Sequence, residues 1–470
     1  MQSNLPVVVI GAGPVGLAAA AHLADRGLPF AVLEAGDSPA AAVREWGHVR
    51  LFSPWRYNID ATAGALLAEA GWVRPDDDIL PTGGQLAADY LQPLADLPAL
   101  KPHVRYGARV VAVTRLGLDR VRTVGREDAP FLIRLDDGED ILARAVIDAS
   151  GTWGAPNVLG ASGIPAHGEA AAAAYRESAL PDVLGRDRDR FAGQRTLVVG
   201  AGHSAANTLL ALAELAKQAP GTTATWAIRA ASPARTYGGE SADALPARGA
   251  IGSRLREHVE SGAITLLTGF SVQRLTPGPE GVTVSDGTRD ITVDRIVSAT
   301  GFRPDHGIVS ELRLDLDTIL SSTRALAPLI DPNQHSCGTV PPHGVDELTH
   351  PEPGYYAIGV KSYGRAPTFL MATGYEQARS VVAALAGDWE AARDVQLDLP
   401  ETGVCSSDVS LDADRIDSAA TSCCGTPAAV EVVPAGRGLA TGVSGGLLRS
   451  PLTVIDVSTT SSEQAGGCCN

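Results

Sequence analysis

Gly11-Ala12-Gly13-Pro14-Val15-Gly16 has the spacing of a phosphate cradle. In such a turn Gly11 permits the tight bend, and Gly13 lets the backbone approach a pyrophosphate. Gly16 lets the following helix pack close to its strand. The diphosphate then rests on the free N–H groups and positive end of that helix, which Pro14 opens. Glu34 ends the next strand, where a carboxylate accepts hydrogen bonds from ribose hydroxyls. The place of this motif at the start of the chain favours FAD over a nicotinamide cofactor. A second motif, Gly200-Ala201-Gly202-His203-Ser204-Ala205, repeats the device with alanine in the third position. The strand after it ends in Arg229, and no acid is there to claim a 2′-hydroxyl. A guanidinium suits a 2′-phosphate, so NADPH is expected rather than NADH. Arg235 either assists or is an ordinary solvated loop residue. His203 and Ser204 fall where a phosphate would lie, and Ser204 is equally suited to cap the helix.

The six cysteines form the other chemical feature. They are Cys337, Cys405 and the adjacent pairs Cys423-Cys424 and Cys468-Cys469, and none occurs in the first 336 residues. A ring closed across one peptide bond is strained, so adjacent thiols are poor partners for each other. As thiolates, Cys423, Cys424, Cys468 and Cys469 present paired soft sulfurs to one soft ion, which suits trivalent arsenic, mercury or copper(I). An internal redox relay and incidental, oxidation-prone thiols are the other readings. Cys337 is a candidate catalytic thiol, or a small apolar side chain in the body. His335 and His343 flank it and would depress its pKa if folded against it.

Alternating strands and helices must position these residues. An apolar run over 5–10, an alanine-rich helix over 14–26 closed by Gly27, and a strand over 30–34 make a βαβ unit. Strands over 131–135 and 141–147 flank the turn Asp137-Gly138. The plan recurs about 190 residues later, from Gly11 to Gly200, with a strand over 196–199, a helix over 204–217 and a strand over 223–228. A meander with Asp286-Gly287 at its turn follows. The expected fold is α/β, with two nested Rossmann-like dinucleotide-binding domains and a cysteine-bearing tail. FAD-binding residues 1–155 come first, then NADP-binding residues 156–301, the FAD-domain return over 302–400 and the tail over 401–470. No aromatic residue follows Trp389. The Ser-, Thr-, Gly- and Ala-rich tail has little to offset the entropy of ordering, although 452–457 could add an edge strand.

Composition limits the function classes. A chain of 470 residues with 44% hydrophobic and 20% charged residues is globular and holds two or three domains. A net charge of −16 argues against broad nucleic-acid binding. No apolar run is long enough to span a bilayer, and no basic segment precedes the first apolar stretch, so a cytoplasmic protein is expected.

The paired domains, with Asp148-Ala149-Ser150-Gly151-Thr152-Trp153 and Ala299-Thr300-Gly301-Phe302-Arg303-Pro304-Asp305 at the meander ends, resemble a known superfamily. These are the flavoproteins with two dinucleotide-binding domains: flavin-containing and Baeyer–Villiger monooxygenases, and thioredoxin- and glutathione-reductase-like enzymes. The resemblance covers about residues 5–390. It implies that Trp46, Arg50, Ser53 and Trp55 line FAD, that Val110 and Val111 reach the adenine through their backbone, and that Gly151, Gly301 and Arg303 lie at the nucleotides. It also implies that Tyr356-Ala357-Ile358-Gly359 leads to the ribityl chain, with Thr368 nearby. The family usually places an acid after this glycine, but Val360 and Lys361 follow here. Gly163 and His167 match part of a monooxygenase motif whose aromatic positions are Ala161 and Ala171. The disulfide-reductase branch carries a redox cysteine pair near the flavin, and this chain has none in either dinucleotide stretch.

The phrases at 335–340, 361–369 and 401–405, with the adjacent cysteines, look similar to flavoproteins encoded in arsenic-resistance gene clusters. That implies a small-molecule substrate such as a trivalent arsenical or another thiophilic species. Three functions remain open on the sequence: a flavin monooxygenase-like oxidoreductase acting on a soft nucleophile; a reductase passing electrons to the tail thiols or a metal or metalloid held there; or a metalloid-sequestering scaffold without turnover.

Overall fold

The computed structural model describes residues 5–239, 245–334, 340–367 and 369–397. Cys337, Thr368, His335 and the whole tail with Cys405, Cys423, Cys424, Cys468 and Cys469 lie outside them, as does the expected edge strand at 452–457.

Two five-stranded parallel sheets carry the body. In the first, β1 (Val7–Ile10), β2 (Phe30–Leu33), β3 (Val104–Arg105), β7 (Ala145–Asp148) and β16 (Tyr355–Ala357) lie in the order β16-β7-β1-β2-β3. In the second, β8 (Arg176–Glu177), β9 (Arg195–Val199), β10 (Thr223–Ala227), β11 (Ile264–Leu267) and β15 (Arg295–Ser298) lie in the order β11-β10-β9-β15-β8. Every pairing within them is parallel. The two sheets share one plan. A glycine-motif strand sits at the centre, and the last strand is contributed from elsewhere in the chain: β16 late in the first, β8 early in the second. All four residues of β1 and of β7 are buried, as expected of strands covered on both faces.

Each sheet carries a three-stranded antiparallel meander. The first joins β4 (Val110–Arg115), β5 (Phe131–Leu135) and β6 (Asp140–Ala143); the second joins β12 (Arg274–Gly278), β13 (Gly281–Ser285) and β14 (Asp290–Val293). Gly138 and Gly287 take φ of +90° and +93° in their turns, a backbone that glycine adopts without strain.

The sequence suggests one strand over 141–147, but the structure divides it. Residues up to Ala143 pair with β5, and Ala145 onward pairs with β1. Arg144 is the switch, its N–H donating to Pro6 O at 3.0 Å. The second copy repeats the switch at Asp294, whose carboxylate pairs with Arg195 at 2.7 Å. Apolar periodicity alone does not reveal that two sheets divide one run.

Among the described residues the longer helices are α1 (Pro14–Asp25), α2 (Ala61–Glu69), α3 (His203–Gln218), α4 (Pro246–Glu260) and α5 (Met371–Leu385). The small side chains of α1 let α5 lie close to it. A Cβ added at Gly374 would stand 2.5 Å from Val15. Among the described residues no helix is long and apolar enough to cross a membrane.

Candidate cofactor and active site

The three glycines of the first motif are in three different situations. Gly11 has φ +98°, and an added Cβ would be 2.8 Å from Ala149 O. At Gly16 a Cβ would be only 2.0 Å from Gly11 O. Gly13 has nothing within 4 Å of its would-be Cβ, so its backbone faces open space at the start of α1. Gly13 is also the N-cap and supplies no side-chain hydrogen bond, with Pro14 next. The first-turn N–H groups are thus left to an anionic ligand. Glu34 braces the turn: its carboxylate accepts from Ala12 N at 2.7 Å and Gly36 N at 2.8 Å. Each oxygen keeps a lone pair for a sugar hydroxyl.

The second motif has the same geometry. Gly200 has φ +138°, with its would-be Cβ 2.0 Å from Ala299 O, and Gly202 has open space around it. Ala205 is fully buried under α3. His203 is the first residue of α3, and its ring lies 5.2 Å from that of Phe52, a residue of the first unit. Ser204, half-buried, follows it in the first turn. Arg229 is exposed just beyond β10, and its Nη1 donates to Ala161 O at 3.1 Å. Arg235 is exposed in the short helix that follows.

The segments that follow β7 and β15 run side by side, bridged at Pro156 and Phe302. Trp153 stacks on Phe302 with centroids 4.9 Å apart, and its indole N–H donates to Glu45 at 2.7 Å. Gly151 and Gly301 both have positive φ, +71° and +86°. Arg303 donates to the Asn157 side chain and stands near Gly163. Partial burial and the charge of Arg365 hold the Arg303 pKa below that of a free guanidinium. His167 is exposed, and its backbone pairs with the meander: Leu275 N donates to His167 O at 2.7 Å.

The residues after Glu34 divide between surface and core. Trp46 is half-buried, with Gly83 flat against its ring. Arg50 is exposed and donates to Leu80 O at 2.6 Å. The hydroxyl of Ser53 donates to Asn58 Oδ1 at 2.8 Å, and Asn58 returns a bond to Ser53 O. Trp55 is 3% exposed and packs in the main core. Val111 stands at a bulge: Val110 pairs with Leu135 and Ala112 with Arg134, which leaves Val111 outside the ladder. A residue so displaced has backbone groups to offer a ligand.

A small open cleft lies beside the start of α5. Ser53, Tyr57 and Asn58 line it together with Leu370, Met371, Ala372 and Leu245. Leu370 supplies no side-chain cap to α5, so this helix also turns uncapped N–H groups towards its end of the cleft. Among the described residues no charged side chain lines it.

One group of site residues was not assigned from sequence. Lys361 turns inward and pairs with Asp148 at 2.6 Å, with both side chains essentially buried. Gly359 is held by Gln377, whose Oε1 accepts its N–H at 2.8 Å. The unusual Val360-Lys361 after Gly359 was the visible signal, but its partner lies 213 residues away. Among the described residues no cluster of three His, Cys, Asp or Glu is arranged to hold a metal.

A family model described as pyridine nucleotide-disulphide oxidoreductase matches residues 8–337. The chain belongs to this family. Membership makes it an oxidoreductase that uses FAD and NADP(H), so a scaffold without turnover is set aside. This family member is 31% identical over 203 residues to indole-3-pyruvate monooxygenase YUCCA1 of Oryza sativa subsp. japonica. That match spans 42% of each chain. It is 25% identical over 327 residues to a ferredoxin–NADP reductase of Paramagnetospirillum magneticum, covering 67% of this chain and 78% of that one. Among solved structures, the bacillithiol disulfide reductase Bdr (YpdA) of Bacillus cereus has the same fold. Its TM-score is 0.57 at 17% identity, over 82% of this chain and 99% of that one.

Proposed function

We propose that the chain is an NADPH-dependent flavin monooxygenase acting on a soft nucleophile. FAD sits on the first motif, with Gly11, Gly13, Pro14 and Gly16 at the diphosphate and Glu34 at the ribose. Trp46, Arg50, Ser53, Val111, Gly151, Gly359 and Thr368 border it. NADPH sits on Gly200, Gly202, His203, Ser204 and Ala205, with Arg229 on the 2′-phosphate and Gly301 and Arg303 at the join. The observation that carries this reading over a disulfide reductase is the absence of any cysteine from residues 1–336, which hold both glycine motifs. No dithiol within that stretch can relay electrons from the flavin.

When bound, FAD accepts a hydride from NADPH and delivers its electrons to oxygen. The overall balance is NADPH, a proton, oxygen and the nucleophile giving NADP⁺, water and the oxygenated product. The chain supplies binding and orientation. The helix starts at Gly13 and Gly202, where the backbone faces open space, would hold the phosphates.

A trivalent arsenical is the narrower substrate proposal. It rests on the paired soft sulfurs of Cys423-Cys424 and Cys468-Cys469, with Cys337 as a candidate reactive thiol. The second reading, a reductase passing electrons to another protein or to the tail thiols, is favoured by the similarity to ferredoxin–NADP reductase. Stoichiometry separates the two. Monooxygenation consumes one NADPH and one oxygen per oxygenated thioether or arsenical. Anaerobic turnover with ferredoxin or a disulfide, lost in the tail Cys→Ser variants, would replace the proposal by the second reading.

Arg229 gives a specific test of the nucleotide assignment. Removing a charge-assisted bond to the 2′-phosphate costs about 1.5–3 kcal/mol, or roughly ten- to a hundredfold in affinity. Arg229→Ala is therefore expected to raise the KM for NADPH about tenfold or more and leave that for NADH little changed. Equal effects on both would remove Arg229 from the site.

A further inference from the structure

The end of β7 and the turn after β16 are tied together by a buried polar group. Lys361 Nζ lies 2.6 Å from Asp148 Oδ2 and 3.0 Å from Ser150 Oγ. Tyr355 OH donates to the same Asp148 oxygen at 3.1 Å. The hydroxyl and N–H of Ser150 donate to Asp148 Oδ1 at 2.6 and 3.1 Å. The side chains of Lys361 and Asp148 are 1% and 0% exposed. Burial alone would raise the Asp148 pKa, but the charge and hydrogen bond of Lys361, with those of Ser150, outweigh it and hold the carboxyl below its ordinary value. A buried ion pair seldom adds stability over an apolar pair of the same volume, so its use here calls for another reason.

Its position supplies one. Ala149, next to Asp148, places its carbonyl against Gly11, and Gly359, two residues before Lys361, lies against Val15. Both tied loops therefore touch the first glycine motif, one at its opening turn and one at the first turn of α1. With Lys361 drawn inward, Val360 is left outward at 36% exposure, beside Gly151. The wall of the crevice there carries an apolar side chain and backbone, without a carboxylate.

We propose that Lys361 is a positioning residue for FAD: its ion pair with Asp148 fixes the 359–364 turn against the 148–151 loop, so that the backbone of the turn, and no side-chain acid, borders the cofactor. This rests on the assignment of FAD to the first motif. Electrostatic attraction over a few ångströms in a buried setting sets the spacing of the two loops more tightly than apolar packing would. Neutralising both partners then keeps the fold and loosens the spacing.

The test uses the full-length chain, freed of flavin and titrated with FAD while flavin fluorescence and visible circular dichroism are followed. Wild-type protein is the control for the assignment itself: failure to take up FAD would sink that assignment and not the role of Lys361. In Asp148→Asn/Lys361→Met, the expected result is a thermal midpoint near wild type, FAD bound at least tenfold more weakly, and an altered dichroic band in the bound flavin. Ser150→Ala keeps both charges and loosens the group. It is expected to weaken FAD severalfold with the same dichroic change, and it carries the test should the double variant not fold. FAD affinity within twofold of wild type and an unchanged band, in whichever of these variants folds, would overturn the positioning role.

Discussion

Gly16→Ala is expected to yield a protein that no longer retains FAD and is also less stable. The added Cβ would stand 2.0 Å from Gly11 O, a backbone atom that has no room to retreat because Gly11 itself abuts Ala149 O. Helix α1 must then move off β1, carrying its N–H groups away from the diphosphate. Overpacking of this kind costs about 1–3 kcal/mol. Gly13→Ala makes the informative comparison. Its Cβ would meet no protein atom within 4 Å, so stability should hold. The methyl group would occupy the space through which a pyrophosphate reaches the backbone, so FAD should be lost all the same. The flavin-to-protein absorbance ratio and the thermal midpoint, measured on both variants, separate the two effects. A Gly13→Ala protein that retains FAD as wild type does would remove the diphosphate from this turn.

Glu352→Ala is expected to give the largest loss of stability. Glu352 is fully buried between Arg115, at 2.7 Å, and Arg126, at 2.8 Å, whose side chains are 3% and 4% exposed. It also accepts the N–H of Arg313 at 3.1 Å. Arg115 in turn lies over the Phe131 ring, with its guanidinium carbon 3.7 Å from the centroid. The group joins the first meander to the segment that leads into β16. Removing the acid leaves two buried guanidinium groups without their counter-charge, a change that costs about 3–5 kcal/mol. At a few degrees per kcal/mol, the midpoint should fall by roughly 10 °C. Burial works to raise the Glu352 pKa, but hydrogen bonds from Arg126 and Arg115 prevail and depress it. A depressed carboxyl contributes stability above its unfolded pKa and loses it as the pH falls through its folded one. The gap between wild type and variant should therefore narrow on acidification. A gap independent of pH, or a midpoint within a degree or two at neutral pH, would contradict this account of the group.

Much of the fold around the candidate site was legible because its signals are local. Each glycine motif, its strand, its helix and the Asp-Gly turns lie within short stretches whose residue types dictate backbone shape. Val111 at its bulge and Arg229 beyond β10 occupy the places their strands imply. What the sequence did not disclose depends on long-range partners. The burial of Trp55 in the main core depends on residues from distant parts of the chain. The run over 141–147 looks continuous, because nothing in it announces that Arg144 passes the chain from one sheet to another. Lys361 carries no local sign of its partner, which appears only with Asp148 beside it. Glu352 and Arg115 are 237 residues apart, and nothing local to either announces the other.

The central claim is that one chain holds FAD on its first glycine motif and takes electrons from NADPH on its second. Anaerobic mixing of the FAD-loaded, full-length protein with NADPH, followed through the visible absorbance of the flavin, tests it most directly. The account predicts bleaching of the bound flavin that is at least tenfold faster with low concentrations of NADPH than with NADH, and a preference that collapses in Arg229→Ala. Flavin that stays oxidised with either nucleotide, or that is reduced equally by both, would contradict it.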